Sequence, residues 1–233
     1  MISESTINGI DKESSVIIIG NSPSILLHEY GSLIDSHDVV IRINNCPTTG
    51  LEKFVGKKID IWATTRNVLH KNNFCPEAYD KLKCVWHRTN DSFSKCILPN
   101  NDVPTFVMYK NKNFVKNFSK YVKSDNKTLK GTHHEFCTGL LTILTATLFY
   151  KNISILGFTF YTEQSSNEIT GYYRNSELNK DGSHDEDKYW KENKSSGFTS
   201  KQNAIIKRSI LKDLETKDII KILNKKELRD MNL

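Results

Sequence analysis

The chain has 233 residues, 37% hydrophobic and 26% charged, enough for one sizeable core and ordinary for a soluble globular protein. Lys and Arg outnumber Asp and Glu by 33 to 27, and the net charge of +6 favours anionic ligands (nucleotides, acidic glycans, phospholipid surfaces) without choosing among them. Five cysteines (Cys46, Cys75, Cys84, Cys96 and Cys137), an odd number with no CxxC pair, argue against a disulfide framework and against a zinc site, and point to reduced thiols in a cytoplasmic protein.

No stretch reaches the roughly 20 apolar residues that span a bilayer, and the opening MISESTINGIDKESS lacks the basic and apolar regions of a signal peptide. Residues 1–15 read as a polar, irregular arm and 16–233 as one domain. Val16–Gly20 is a short β-branched run, the pattern of a buried parallel strand. Pro23, or a residue just after it, can open a helix capped by a polar neighbour. Val39–Ile43, Ile59–Ala63, Cys84–His87 and Thr105–Tyr109 read as further strands. Lys112–Val122 has helical spacing, and Gly139–Tyr150 is apolar nearly all round, as a buried helix would be. Ile153–Gly157 is again a strand. Residues 162–198 are polar without a period and read as a long loop, the kind that often serves as a lid or binding segment. Lys201–Leu214 reads as a closing helix and Ile219–Leu223 as a last strand, with a basic tail that can instead extend a helix.

Strand and helix alternate along this order, which predicts an α/β fold with a mostly parallel central sheet flanked by helices. In such sheets ligands bind beyond the carboxyl ends of the strands. Gly20-Asn21-Ser22, Arg42–Asn44 and Gly157-Phe158 each follow or close a predicted strand, so all three are expected at one cleft.

At the first of these, Gly20 permits a close backbone turn, Asn21 and Ser22 offer side-chain donors, and the helix start behind them has free N–H groups. That set suits a phosphate or a ribose, although a G-N-S turn also serves as a plain helix cap. Arg42 can face a phosphate or pair with Asp35 or Asp38 to fix the loop. Thr138 and Gly139 begin the buried helix, again a place for an anion. Tyr172 and Tyr173 in a polar loop can bond a phosphate or pack the loop to the core. His184 precedes Asp185-Glu186-Asp187, an arrangement open to a general base oriented by a carboxylate. The D-x-D of Asp185 and Asp187 is discounted as a metal motif, and the adjacent His133 and His134 would point to opposite faces of a strand, so no metal site is expected. The absence of a GxGxxG excludes a dinucleotide-binding reading. With no RNP-like or zinc-finger pattern, a nucleic-acid module is only a distant alternative.

The ordered series GNSxSxL, Gly31, IDSHDxVxRxN, a Pro–Gly pair and VGxK resembles the large sialylmotif of the animal-type sialyltransferases. It is carried here by Gly20, Asn21, Ser22, Gly31, Ile34, Asp35, His37, Asp38, Val40, Arg42, Asn44, Pro47, Gly50 and Gly56. Phe136–Tyr161 resembles the small sialylmotif, with Phe136 and Cys137 where the family has Pro and Ser. Thr170–Asn175 resembles the third motif with Gly171 in place of its His, and Gly182–Trp190 the very small motif, with His184 present and Tyr189 in place of Glu. The chain is thus similar to glycosyltransferase family 29, and a bacterial-type member is expected because the family's half-motif cysteines are missing, with Ser15 near the place of the first.

That resemblance implies a GT-A-like, Rossmann-like variant fold. It implies inverting transfer of sialic acid, or a related nonulosonate such as Kdo, from a CMP-sugar to a glycan or glycolipid hydroxyl, without metal or other cofactor. It implies that Asn21 and Asn44 contact phosphate and ribose, with Gly20, Ser22 and Arg42 beside them. Cys137, Thr138, Gly139, Gly157 and Phe158 would meet the rest of the donor. His184 would be the base, and Tyr172, Tyr173 or Arg174 would supply the donor missing at Gly171. Asp187 or Glu192 would replace the missing Glu. The basic tail from Lys207 allows a peripheral contact with the inner face of a membrane.

Overall fold

The computed structural model describes residues 11–44, 46–64, 81–88, 103–108, 137–158 and 209–223. Its core element is β1 (Ser15–Ile19), in which Val16, Ile17, Ile18 and Ile19 are all fully buried. An uninterrupted β-branched run forms here because both faces of the strand are covered, so no polar alternation is needed. Six more strands follow: β2 (Val39–Ile43), β3 (Ile61–Thr64), β4 (Cys84–His87), β5 (Thr105–Val107), β6 (Asn152–Leu156) and β7 (Lys221–Ile222). They form one sheet in the order β5-β4-β3-β2-β1-β6-β7, and every pairing is parallel. The expected α/β class is therefore present.

Alternation along β1 and β2 divides the core into two layers. Val16, Ile18, Val39, Ile41 and Ile43 face α3 (Thr138–Ala146) and Ile210, Leu211 and Leu214 of α4, the helix over 209–216. Ile17, Ile19 and Val40 face the other way, against Ile25 of the 3-10 turn Pro23–Leu27, Ile34 of α1 (Gly31–Asp35) and Val55 of α2 (Glu52–Val55). Each fully buried Ile or Leu contributes about 1.5–3 kcal/mol of transfer free energy. Helices on both faces are what allow an all-parallel sheet to exclude water.

Several boundaries differ from the sequence reading. The third strand begins at Ile61 rather than Ile59, because Asp60 holds the amino edge as described below. The buried helix stops at Ala146, where Leu148, Phe149 and Tyr150 turn back by N–H bonds to Thr145 and Ala146 carbonyls. Pro23 opens a 3-10 turn instead of an α-helix. The short helices α1 and α2 were not anticipated, since each is too brief to show a period. The arm is not wholly irregular: Ser15 is in β1, the Lys12 carbonyl accepts Lys151 N–H, and the Glu13 carbonyl accepts Asn152 Nδ2. The helix expected at Lys112–Val122 and the loop 162–198 lie outside the described residues.

The amino edge of the sheet is fastened by buried Asp60, whose Oδ2 accepts Val40 N–H at 2.9 Å and whose Oδ1 lies 2.7 Å from Lys83 Nζ. The Asp60 backbone also donates to Val40 O and accepts from Lys83 and Cys84 N–H, so one residue joins the starts of β2, β3 and β4. Nearby, Ser15 Oγ and N–H both donate to Asp38 Oδ2, which holds the Asp38 carboxyl below the usual range. Ser15 thus makes a polar link where the sequence suggested a lost half-cystine.

Asp60→Ala should lower the unfolding free energy by about 1–3 kcal/mol, because it strands a buried amide. Lys83→Met, at an exposed end of the same pair, should cost under about 1 kcal/mol; urea denaturation measures both. Burial pushes the Cys84 thiol up to about 12, so it should resist iodoacetamide at pH 8.5 in the native state. Alkylation at the rate of the denatured chain would contradict that burial.

Candidate functional site

The sheet order places β1 between β2 and β6, so the strand connections run outward in opposite directions from the β1–β6 pair. The carboxyl ends of these strands therefore flank a topological switch point, the position at which open α/β sheets bind ligands. Residues from four predicted segments converge there.

Gly20 N–H donates to Leu156 O at 2.8 Å, and Ser22 N–H to Gly157 O at 3.0 Å. The ends of β1 and β6 are in such close contact that a Cβ on Gly20 would stand 2.2 Å from Gly157 O and 2.9 Å from Phe158 Cγ. Gly157 itself has φ +74, a left-handed conformation that favours glycine. The Phe158 ring also reaches α3, lying 3.0 Å from where a Cβ of Gly139 would be, and Ile43 Cδ1 borders the same point. Gly20, Gly139, Gly157 and Phe158 thus form one continuous set of contacts around the ends of β1, β2 and β6.

Asn21 and Asn44 stand at the edge of that set. Asn21 is 6% exposed, and its Nδ2 donates to Ile43 O at 2.8 Å. Its Oδ1 is buried with no hydrogen-bond partner among the described residues. Asn44 has φ +53. Its N–H donates to Ala63 O at 2.8 Å, and its carbonyl accepts Trp62 Nε1 at 2.7 Å. Its Oδ1 is likewise buried and without a partner among the described residues. Buried polar atoms are rarely left unpaired, since each costs about 1–3 kcal/mol. Two such oxygens stand at neighbouring strand ends, one after β1 and one after β2.

The remaining predicted residues divide by what they touch. Ser22 Oγ accepts Ser24 N–H at 3.3 Å and lies 2.9 Å from Ser24 Oγ, so it caps the 3-10 turn. Arg42 is fully buried; its Nε donates to Lys58 O and its Nη2 to Val55 O, binding the end of α2 to β2, while Nη1 has no partner among the described residues. Asp35 holds the same loop by accepting Lys57 and Lys58 N–H, and Asp38 turns to Ser15; no ion pair joins either of them to Arg42 among the described interactions. Half-buried Cys137 is the N-cap of α3 and makes no side-chain cap bond, so the first amides of that helix are not consumed by it. Thr138 is buried and its carbonyl accepts Thr142 Oγ1 at 2.7 Å.

Tyr172, Tyr173, Arg174 and His184, with Asp187 and Glu192, lie outside the described residues. Among the described residues no group of three His, Cys, Asp or Glu side chains could hold a metal ion, and no helix is long and apolar enough to cross a membrane. Sequence reasoning missed Trp62, which sits inside a strand and gives no motif. Its one signal was an indole N–H in a strand whose other side-chain donor, Thr64, stands at its end.

Residues 10–85 match the family model of glycosyltransferase family 29 (sialyltransferase). A β-1,6-galactosyltransferase of Arabidopsis thaliana is 46% identical over 57 residues, covering 24% of this chain and 14% of that protein. A CMP-N-acetylneuraminate-β-galactosamide-α-2,3-sialyltransferase 1 of Gallus gallus is 40% identical over 65 residues, covering 28% of this chain and 16% of that protein. These matches span a small part of the relatives' own length. They are with plant and animal proteins and lend no support to a bacterial source. In three dimensions, a mammalian sialyltransferase in complex with Gal-β-1,3-GalNAc-ortho-nitrophenol superposes with a TM-score of 0.52 at 17% identity, covering 91% of this chain and 69% of that one.

Gly20→Ala should lower the melting temperature far more than Gly50→Ala. Gly50 has φ +77 but nothing within 4 Å of where a methyl group would stand, so it carries only the left-handed penalty of roughly 1–2 kcal/mol. Equal shifts in a thermal melt would contradict the tight β1–β6 contact. Residues 10–85 are thus similar to glycosyltransferase family 29 (sialyltransferase), and the fold is similar to that of a mammalian sialyltransferase.

Proposed function

We propose that the chain is an inverting glycosyltransferase that moves sialic acid, or a related nonulosonate, from a CMP-sugar to a glycan hydroxyl on a GT-A-like variant fold. The observation that carries this reading is the pair of unpartnered oxygens, Asn21 Oδ1 and Asn44 Oδ1, at the switch point within the family-matched segment. Both atoms are acceptors, so they suit the hydroxyls of a ribose. The phosphate, which needs donors, is assigned to the uncapped start of α3 at Thr138 and Gly139. Gly20, Gly157 and Phe158 shape the adjoining wall, Cys137 borders it, and Arg42 and Ser22 hold its supporting loops.

In this mechanism His184 takes the proton of the acceptor hydroxyl as its oxygen attacks the anomeric carbon. The bond to the CMP phosphate oxygen breaks through an oxocarbenium-like transition state, and the electron pair leaves with CMP. The α3 amides, with Tyr172 and Tyr173, stabilise the growing phosphate charge. A single phosphate needs no bridging cation, so the reaction is assigned no metal. The reading places the chain in a reducing compartment, on the odd number of cysteines and the lack of a CxxC pair in the sequence, with a membrane-borne glycolipid among the acceptors.

A second reading has a specific observation behind it. The plant relative is named a galactosyltransferase, so a UDP-sugar donor competes with CMP-sialic acid and CMP-Kdo. Thermal stabilisation by CMP, UDP, CDP and NAD in EDTA separates them. A shift with CMP alone is expected; a shift with UDP alone would transfer the site to a galactosyl donor. Once a donor turns over, His184→Ala should lower kcat about 10²–10⁴-fold with little change in donor KM. Unchanged turnover would remove His184 from the mechanism.

A further inference from the structure

Asn44 is one of two described non-glycine residues with positive φ, and it lies at the end of a fully buried strand. A left-handed residue persists only where its surroundings over-determine it. Both backbone groups of Asn44 are tied to β3. The bond from Asn44 N–H to Ala63 O extends the regular β2–β3 ladder, in which Ile43 is paired with Ala63. The bond to the Asn44 carbonyl is different, because it comes from the side chain of Trp62. Trp62 is the register partner of Arg42, is 1% exposed, and spans two residues along the neighbouring strand to reach that oxygen. The preceding peptide is held independently, by Asn21 Nδ2 on Ile43 O.

We propose that Trp62 is a positioning residue for the donor site: its indole N–H fixes the peptide after Asn44 and thereby holds the Asn44 amide in place at the end of β2. The local geometry works in both directions. A buried indole N–H needs an acceptor, and the bond to the carbonyl restrains the backbone rotation that follows the left-handed Asn44. The Asn44 side chain cannot supply this restraint, because its oxygen is unpartnered among the described residues. Without the indole bond the peptide after Asn44 loses that restraint, and the placement of the Asn44 side chain loosens with it. The assignment of a nucleotide to that oxygen rests on the proposed donor reading; the clamp itself does not.

The test compares wild type, Trp62→Phe, Asn44→Gly and the double variant, with CMP as the probe in titration calorimetry. Asn44→Gly removes the oxygen and lets the backbone take positive φ freely. Trp62→Phe should weaken CMP binding about tenfold in the native background and leave it unaltered in the Asn44→Gly background, since the group it holds is then gone. Ligand-free hydrogen exchange at the Asn44 amide should speed up in Trp62→Phe. If that variant fails to fold, benzothienylalanine at position 62 keeps the shape of the ring and removes only the N–H. Wild-type affinity in either replacement, or losses that multiply in the double variant, would overturn the positioning role. Failure of wild type to bind CMP would sink the donor reading alone, and amide exchange then decides: an unchanged rate at Asn44 overturns the clamp, a raised one sustains it.

Discussion

Contact between the carboxyl ends of β1 and β6 governs the geometry of the cleft. There is no space for a side chain at Gly20, because Gly157 O lies 2.2 Å from where its Cβ would stand. The approach brings Phe158 over the start of α3 and brings Asn21 within reach of Ile43 O on the far side of β1. A sheet whose order reverses at this pair opens its crevice here, between outward-turning connections on either side. Shape at the switch point is thus set by backbone packing, and the polar groups are added to a rigid frame.

The two edges of the sheet are organised differently. Carboxylates gather at the amino edge, where Asp38 and Asp60 are satisfied by amides, a hydroxyl and lysines, and Asp35 binds the loop leading into β3. At the carboxyl edge the described site residues include no carboxylate: Gly20, Asn21, Ser22, Asn44, Gly157 and Phe158 gather there with the start of α3 at Cys137 and Thr138. The proposed anionic donor would there face helix amides rather than a ring of acids. Arg42 shows how buried charge is handled between the edges: its guanidinium rests on the carbonyls of Lys58 and Val55, so the cation stabilises the end of a short helix.

Much of the frame was legible in the sequence. β1, β2 and β4 are short β-branched or aromatic runs with both faces buried, so the composition of each run is enough to identify it; β6 keeps an exposed Asn152 and a half-buried Ser154 but has buried Ile153, Ile155 and Leu156. The glycines and asparagines after β1, β2 and β6 were legible because a turn at a strand end restricts residue type strongly. The short helices α1 and α2 were not, since their few residues obey tertiary contacts rather than a period. Nor was the division of labour among the polar residues. Nothing in GNS says that Asn21 spends a donor on Ile43 or that Ser22 serves its own turn. Trp62 was invisible for the same reason: its partner is a backbone carbonyl of residue 44, and carbonyls carry no sequence signal.

Sheet order also has a consequence for how the chain reaches its native state. Every strand from β1 to β5 has its neighbour next to it in sequence, but β1 meets β6 only when Ser15 pairs with Asn152. Until residues 152–156 arrive, one edge of an almost wholly apolar strand is unpaired, and during synthesis it must wait for the intervening chain to be made. Closing so long a loop is slow. The segment that completes the crevice is therefore also the one that ends the period of greatest exposure to aggregation, and a nascent chain halted before β6 presents a sticky half-sheet to chaperones.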